Sequence, residues 1–228
     1  MLAKEFYDRN AKLRYEDLNA DYSQVDMHQP GERYHCIHDQ LSDPGSLKAV
    51  ELGFGSINSA AYLSSLFASY EAIDLSASEL LSGREVGFSY RDSDLNKDWP
   101  LKNGAYDVLV AMMIFEHLFD PFHSFSETAR VLTNGGLAFI NLPNIGSIKC
   151  RWDLLHGRMP TTSSPDWFEK REWDGGHLHY FTVAGVRQVA EINGLSIKKI
   201  YPVGRFNRMK FLRPSLLSHE ISYVLEKI

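Results

Sequence analysis

The chain has 228 residues, 44% of them hydrophobic, enough to bury one sizeable core and too few to build a second independent domain beside it. Its formal net charge of −5 argues against general nucleic-acid binding, which needs a positive field over the phosphates. No apolar run approaches the roughly 20 residues that span a bilayer, Met1 to Phe6 lacks the apolar stretch of a signal peptide, and Cys36 and Cys150 have neither zinc nor disulfide spacing; a cytoplasmic chain with no transmembrane segment and two reduced, partly buried thiols is expected.

In chain order, residues 3–22 carry Phe6, Leu13 and Leu18 among many charges, the pattern of an amphipathic, loosely held helical arm. Pro30 opens a second helix with Tyr34, Ile37, His38 and Leu41 at three- and four-residue steps, and such helices can lie across the mouth of a ligand site. His35 and His38 lack a third ligand and read as surface polar groups. Asp43-Pro44-Gly45 then punctuates the start of a core in which strand signals (47–52, 69–74, 86–91, 106–113, 136–142) alternate with helix signals (57–68, 76–82, 122–132). That alternation implies an α/β fold, Rossmann-like and doubly wound, with helices on both faces of a mostly parallel sheet. Residues 106–112 are nearly all apolar and read as a central strand buried on both sides.

Within this core, Ala49-Val50-Glu51-Leu52-Gly53-Phe54-Gly55-Ser56 joins an apolar strand to a helix through two glycines one residue apart. A side chain at Gly53 or Gly55 would block the approach of a bulky polar ligand to the backbone and would strain positive φ angles. Tyr70 to Asp74 is a second strand ending in an acid, 19 residues after Gly55, where a carboxylate can accept hydrogen bonds from both hydroxyls of a ribose. Asp74 also reads as the N-cap of the helix that Leu75-Ser76-Ala77 opens. A cofactor with an adenosine end is the natural occupant of such a turn.

Asn134-Gly135-Gly136 ends the helix that begins at Pro121, and from Asn144 to Phe181 the alternation breaks. This insertion carries Trp152, Trp167 and Trp173 together with His156, His177 and His179. A helix over 182–193, capped by Thr182 and stopped at Asn193-Gly194, and two strands at about 195–202 and 219–226 complete the chain. The organisation read from this is a single domain with an N-terminal helical arm or lid (1–42), a cofactor-binding core (43–143), an acceptor-site insertion (144–181) and a C-terminal helix with the last strands (182–228).

Taken together, Glu51-Leu52-Gly53-Phe54-Gly55, Asp74-Leu75-Ser76, Asp94-Leu95 and Met112-Met113-Ile114-Phe115-Glu116-His117-Leu118 resemble the successive motifs of the class I S-adenosylmethionine-dependent methyltransferases, over roughly residues 30 to 228. One departure is visible: the third glycine common in the first loop is replaced by Ile57, or by Asn58 in the dinucleotide spacing. The resemblance implies a seven-stranded sheet with its last strand antiparallel, and S-adenosylmethionine as cofactor. It also implies that Glu51, Gly53 and Gly55 face the methionine end, that Asp74, with Leu75 beside it, holds the ribose, and that Asp94 with Leu95 flanks the adenine. The other reading of Asp94 is a surface acid among Asp92 and Asp98.

Ligands bind at the carboxyl ends of parallel strands, which makes Met112, Met113 and the Phe115-Glu116-His117 turn pocket candidates; Glu116-His117 can equally cap the next turn. Related methyltransferases of quinone biosynthesis carry a further glutamate three positions before the Glu-His pair and use the group for a divalent cation. Here that position is Met113, whose thioether is a poor ligand for a hard cation, so no metal is expected.

Asp174-Gly175-Gly176-His177-Leu178-His179-Tyr180-Phe181-Thr182 resembles the Gly-His-x-x-x-Phe-Thr segment that borders the acceptor pocket in the small-molecule and glycan-modifying branch. A neutral imidazole at His177, His179 or His117 suits proton removal from a hydroxyl, while a histidine here can also simply pin the loop. The three tryptophans offer stacking faces for a ring or a small core for the loop itself. From Lys198 onward seven Lys or Arg face two Glu, and Arg205, Arg208, Lys210 and Arg213 form a basic edge for a phosphate, a partner or plain solvent.

The resulting expectation is O-methylation of a hydroxyl on a sugar, nucleotide sugar or surface glycan, in polysaccharide biosynthesis, with a homodimer as one assembly option. The alternatives are methylation of a small aromatic or quinone-like phenol, a non-catalytic cofactor-binding module, and an NAD-dependent dehydrogenase. The last needs a Tyr-x-x-x-Lys pair on a helix. The only match, Tyr223 to Lys227, falls in a strand, where four residues separate side chains by about 13 Å.

Overall fold

The computed structural model describes residues 29, 31–54, 56–83, 85–163, 169, 171, 173–204 and 207–228. The arm at 3–22, Pro30, Gly55, Trp167 and Arg205 lie outside the described residues, as does the side chain of Arg208. Strands β1 (Lys48–Leu52), β2 (Ser69–Asp74), β3 (Ser89–Asp92), β4 (Tyr106–Met112), β5 (Leu132–Pro143), β6 (Leu195–Pro202) and β7 (Glu220–Lys227) form one seven-stranded sheet in the order β3-β2-β1-β4-β5-β7-β6. β1 to β5 are mutually parallel, and β7 runs antiparallel to both of its neighbours, as the alternation and the resemblance together implied.

Side-chain alternation sorts the core into two layers. Val50, Leu52, Leu109, Ala111, Ala138 and Ile140 pack with Phe125 of the helix Pro121–Val131 and with Val186 and Val189 of the helix Val183–Ile192. Ala49, Val108, Val110, Leu137 and Phe139 pack with Cys36 and Ile37 of the helix His35–Gln40 and with Ala60 and Leu63 of the helix Ile57–Leu66. Three of these helices start where their side chains can satisfy an open backbone N–H: Ser56 accepts from Ser59, Asp120 from Phe122 and Thr182 from Gly185. Each such cap contributes about 1 kcal/mol. Cys36 and Cys150 are both buried and free, and burial pushes the Cys36 thiol up to about 12, which leaves it unreactive.

Four elements depart from expectation, the first being the helix expected to open at Pro30, which runs only over His35–Gln40. β3 runs over Ser89–Asp92 instead of 86–91, and all four of its residues are exposed, so no buried stripe marked its ends. β5 begins at Leu132, because Leu132 pairs with Tyr106 before the ladder shifts register to Val108 and Leu137. The insertion holds a helix, Ile148–Leu155, capped by Ser147; it buries only Cys150, while Ile148, Trp152 and Leu155 stay exposed, so no inward periodicity announced it. Among the described residues, no helix is long and apolar enough to cross a membrane.

The sheet also sets where a ligand can enter. β1 lies between β2 and β4, and the connections leave it in opposite directions, which opens a crevice at the carboxyl ends of these strands. Past the end of β4, Met113 takes a left-handed φ of 57°, rare for a residue with a side chain, while its N–H donates to Asn141 O at 3.0 Å. This turn delivers Ile114 and the buried one-turn helix Phe115–His117 to the crevice.

Candidate active site

Gly53 has φ 64°, and a Cβ there would lie 2.5 Å from Ile114 Cδ1. The glycine is therefore required by the left-handed turn and by the close approach of the chain after β4, as well as by any ligand. A cavity of about 110 Å³ opens beside it, lined by Gly53, Asp74, Leu75, Ser93, Asp94, Leu95, Asn96, Ile114, His117 and Leu118. Six residues singled out from sequence, Gly53, Asp74, Leu75, Asp94, Leu95 and His117, thus share one wall. Glu51 and Met112 do not reach it: Glu51 is buried beneath the loop and accepts from the Tyr70 hydroxyl, and Met112 packs in the core.

Sequence reading missed Ser93, Asn96, Ile114 and Leu118. Asn96 had a signal, the Asp-x-Asn turn: Asp94 Oδ1 accepts from Asn96 N at 3.1 Å and from its Nδ2 at 3.0 Å, which aims Asn96 Oδ1 at Phe119 N, 2.7 Å away. Asp74 lines the cavity and accepts from Ser76 N at 3.2 Å in a local turn; it is not the cap of the helix Ala77–Leu80, where Ser78 N donates to Asp92 Oδ1 at 2.7 Å. Burial raises its carboxyl to about 6, with the Ser76 and Leu75 N–H groups opposing and the Asp92 charge assisting. Burial raises Glu51 to about 7, against the Tyr70 hydrogen bond.

The insertion returns to this wall by backbone pairing. Leu178 N donates to Glu116 O at 2.7 Å and His179 N to the same oxygen at 3.2 Å. His179 Nε2 bonds to Phe119 O at 3.1 Å, so this histidine pins the loop to the turn after β4. His117 Nδ1 reaches Gly176 O at 3.1 Å, and the His117 and His177 rings meet edge to face at 4.8 Å. His177 Nε2 lies 4.0 Å from Glu116 Oε1, with all three side chains buried.

His177 is held from behind. Thr162 Oγ1 donates to Asp174 Oδ2 at 2.6 Å and so accepts from His177 Nδ1 at 2.7 Å, which leaves the lone pair of the neutral ring on Nε2. Asp174 also accepts from Thr162 N, Ser163 N and Ser163 Oγ. Its burial alone would raise the carboxyl, and these hydrogen bonds outweigh it and hold the pKa below the usual value. Asp174 adopts φ 41° inside the turn Trp173–Gly176, a strained conformation that the four donors offset.

A second cavity, about 290 Å³, lies on the far side of Thr162, lined by Asn144, Lys149, Cys150, Thr161, Thr162, Ser163 and His219. His219 is held below its ordinary value by burial and by the positive charges of Lys149 and Lys210, against the charge of Asp153, which pairs with Lys149 at 3.0 Å. Of the other C-terminal cations, Lys199 pairs with Asp39 at 2.7 Å, Lys198 with Glu226 at 3.2 Å, and Lys227 Nζ donates to Leu132 O at 2.7 Å. Trp152 and Trp173 are more than half exposed, 57% and 60%, so they form no small core for the loop.

The residues of the first cavity fit a nucleoside-bearing cofactor. Gly53 offers bare backbone, Asp74 an acceptor for hydroxyls, and Leu75, Leu95, Ile114 and Leu118 apolar faces for a base. The enclosed volume holds only part of such a molecule, and the rest would extend over the open glycine loop.

The sequence profile described as "Methyltransferase domain" matches residues 50–140. Tocopherol O-methyltransferase, chloroplastic, of Arabidopsis thaliana is 26% identical over 144 residues, 59% of this chain; the match spans 41% of that protein's length. Among solved structures, an S-adenosylmethionine-dependent methyltransferase from Mesorhizobium loti superposes with a TM-score of 0.63 at 15% identity, covering 86% of this chain and 97% of that one. The [4+2]-cyclase SpnF gives 0.56 at 12% identity over 90% and 84%, so the fold alone does not dictate the reaction. Residues 50–140 match a methyltransferase domain, and the strand order with its antiparallel β7 is the fold shared with S-adenosylmethionine-dependent methyltransferases, which makes S-adenosylmethionine the cofactor indicated for the cavity at the Gly53–Asp74 crevice.

Proposed function

We propose that the protein methylates a hydroxyl oxygen of a saccharide, on a nucleotide sugar or the end of a glycan, seated in the cavity behind Thr162. One observation carries this reading: His117 lines the cofactor cavity, His177 meets His117 edge to face, and His177 bonds to Thr162, which lines the second cavity. A continuous set of polar side chains, the two imidazoles buried and Thr162 half-buried, therefore connects the place for the donor with a place for an acceptor.

In this reading Gly53 and Asp74 hold the cofactor, with Asp74 accepting from the ribose hydroxyls, and Asp94 and Leu95 border the adenine. S-adenosylmethionine supplies a methyl group on a sulfonium; transfer forms the O–CH3 bond, breaks the S–CH3 bond and leaves S-adenosylhomocysteine and the hydroxyl's proton. The His117–His177–Glu116 cluster receives that proton from the acceptor side, and Thr162 with Asp174 fixes the ring that does so. The second cavity offers Asn144, Lys149, Thr161, Ser163 and His219, a hydroxyl- and anion-binding wall that suits a sugar phosphate better than a bare ring.

A phenolic acceptor is the second reading, supported by the similarity to a tocopherol O-methyltransferase and by the exposed Trp152. The test is a panel of nucleotide sugars and phenols assayed with labelled cofactor, using wild type, His177→Ala and Lys149→Ala. The saccharide reading expects His177→Ala to lose about 10²–10⁴-fold in turnover and Lys149→Ala to raise KM for phosphorylated acceptors alone. Methylation confined to phenols and indifferent to both changes would overturn it. Calorimetry tests the cofactor wall: Asp74→Ala should weaken the methyl donor by about 1.5–3 kcal/mol.

A further inference from the structure

The geometry points to a divalent-cation site formed by Glu116, His117 and His177, taking a first-row transition ion of the zinc or manganese type and activating the acceptor hydroxyl; the inference rests on the methyl-transfer reading of this site. One ligand atom from each of the three residues lies within 4.8 Å of the others, and all three residues are buried. The hydrogen bonds behind the rings decide what these atoms offer. Gly176 O can only accept, so His117 Nδ1 carries its proton and Nε2 its lone pair. Thr162 Oγ1 gives its own proton to Asp174 and accepts from His177 Nδ1, so His177 Nε2 carries a lone pair too.

A ring nitrogen of each histidine and a carboxylate oxygen of Glu116 thus gather at one place, with His177 Nε2 and Glu116 Oε1 4.0 Å apart. The backing is the kind that orients metal-bound histidines, a carbonyl behind one ring and a hydroxyl–carboxylate pair behind the other. Two nitrogens and one oxygen favour a first-row transition ion over magnesium, which prefers an all-oxygen shell. Ligands around one such ion stand about 3–3.5 Å apart, so binding draws the His177 loop toward Glu116 by about 1 Å.

The place between the two cavities gives the ion a task. An acceptor hydroxyl bound to it through oxygen loses its proton more readily; with the ion in place the imidazole lone pairs are its ligands, so water takes the proton that the metal-free cluster would take, and the resulting alkoxide is the nucleophile for the methyl group. Metal independence, expected from Met113 alone, weighed only the positions beside Glu116 in sequence. His177 arrives from 60 residues beyond His117 and supplies the third ligand that Met113 does not.

The test uses the full chain stripped with chelator and titrated with Co²⁺, followed by visible d–d absorption and by calorimetric stoichiometry. The expected result is one ion per chain, displaced by Zn²⁺ and not by Mg²⁺. Glu116→Gln and His177→Asn each weaken it at least about tenfold, and the exposed His156→Ala leaves it unchanged. His177→Asn nearly preserves shape; a cooperative melt and retained cofactor binding in this variant show that it folds. Absence of saturable Co²⁺ absorption, or saturation unaffected by both substitutions, overturns the site. Cofactor titration of the stripped protein separates the two readings: donor binding with no ion site removes only the cation, and an ion site with no donor binding removes the methyl-transfer reading.

Discussion

The cofactor wall and the acceptor wall are held by different means. At the cofactor wall the carboxylate contacts are local: Asp74 to Ser76 and Asp94 to Asn96 each span two residues, and the parallel ladders of β1, β2 and β4 supply most of the rest of the geometry. At the acceptor wall, Thr162 reaches Asp174 and His177 across 12 and 15 residues, while His117 reaches Gly176 across 59. Strand ends position residues cheaply because the sheet is already built. An insertion needs its own anchor, and a buried carboxylate collecting four donors supplies it.

The largest effect should separate the walls most cleanly. His177→Ala is expected to lower kcat by about 10²–10⁴-fold while leaving the Kd of S-adenosylmethionine within about twofold. Equal losses in both, measured by steady-state kinetics and calorimetry, would mean that the walls are not independent.

Asp174→Ala removes the anchor and leaves the Thr162 and Ser163 donors without their acceptor. A local loss of about 2–4 kcal/mol is expected, seen as faster amide exchange over 161–163 and 173–177 with β1 and β4 unchanged. Exchange that rises uniformly across the sheet would erase the distinction between local and non-local support.

Gly53→Ala tests the other wall. The added methyl meets Ile114 at 2.5 Å in a left-handed backbone, and a cost of about 1–3 kcal/mol is expected in the thermal melt. Combining it with Ile114→Val should recover only the steric part, so a full recovery would show that the φ of 64° carries no strain.

Acid should weaken the cofactor wall selectively. Asp74, raised to about 6 by burial, accepts ribose hydroxyls best as a carboxylate, so donor affinity should be constant above pH 7 and about tenfold weaker at pH 5. Glu51 works in the opposite direction: with its folded value raised to about 7, the stability it contributes is full below its unfolded pKa of about 4.5 and is lost as pH rises through 7. Glu51→Gln should therefore flatten the melting temperature between pH 5 and 8. The smallest effect is Trp152→Ala, expected within about 0.5 kcal/mol of wild type in stability because the ring is more than half exposed, with KM as the readout of any stacking on an acceptor.

Much of the cofactor half was legible in the chain itself. Strand 47–52, Gly53 and the acid at Asp74 announced themselves because a continuous apolar run, positive φ and an acidic strand end each leave a local trace, and the observed β1 and β2 follow them within a residue. Ile114 was not legible as the partner of Gly53, since its approach depends on the left-handed turn at Met113. The helix Ile148–Leu155 went unread because its apolar face points outward. The histidines of the insertion were visible as residue types and not as roles. Only the folded chain separates His179, tied to a carbonyl, from His177, which is aimed by Thr162 and Asp174 at Glu116. Sequence by itself determined the alternation, the parallel sheet and the glycine–acid crevice, because these follow from local patterns of burial and backbone freedom. Tertiary structure decided which imidazole faces the cofactor cavity and what stands behind it, because those contacts join segments up to 60 residues apart that no local pattern links.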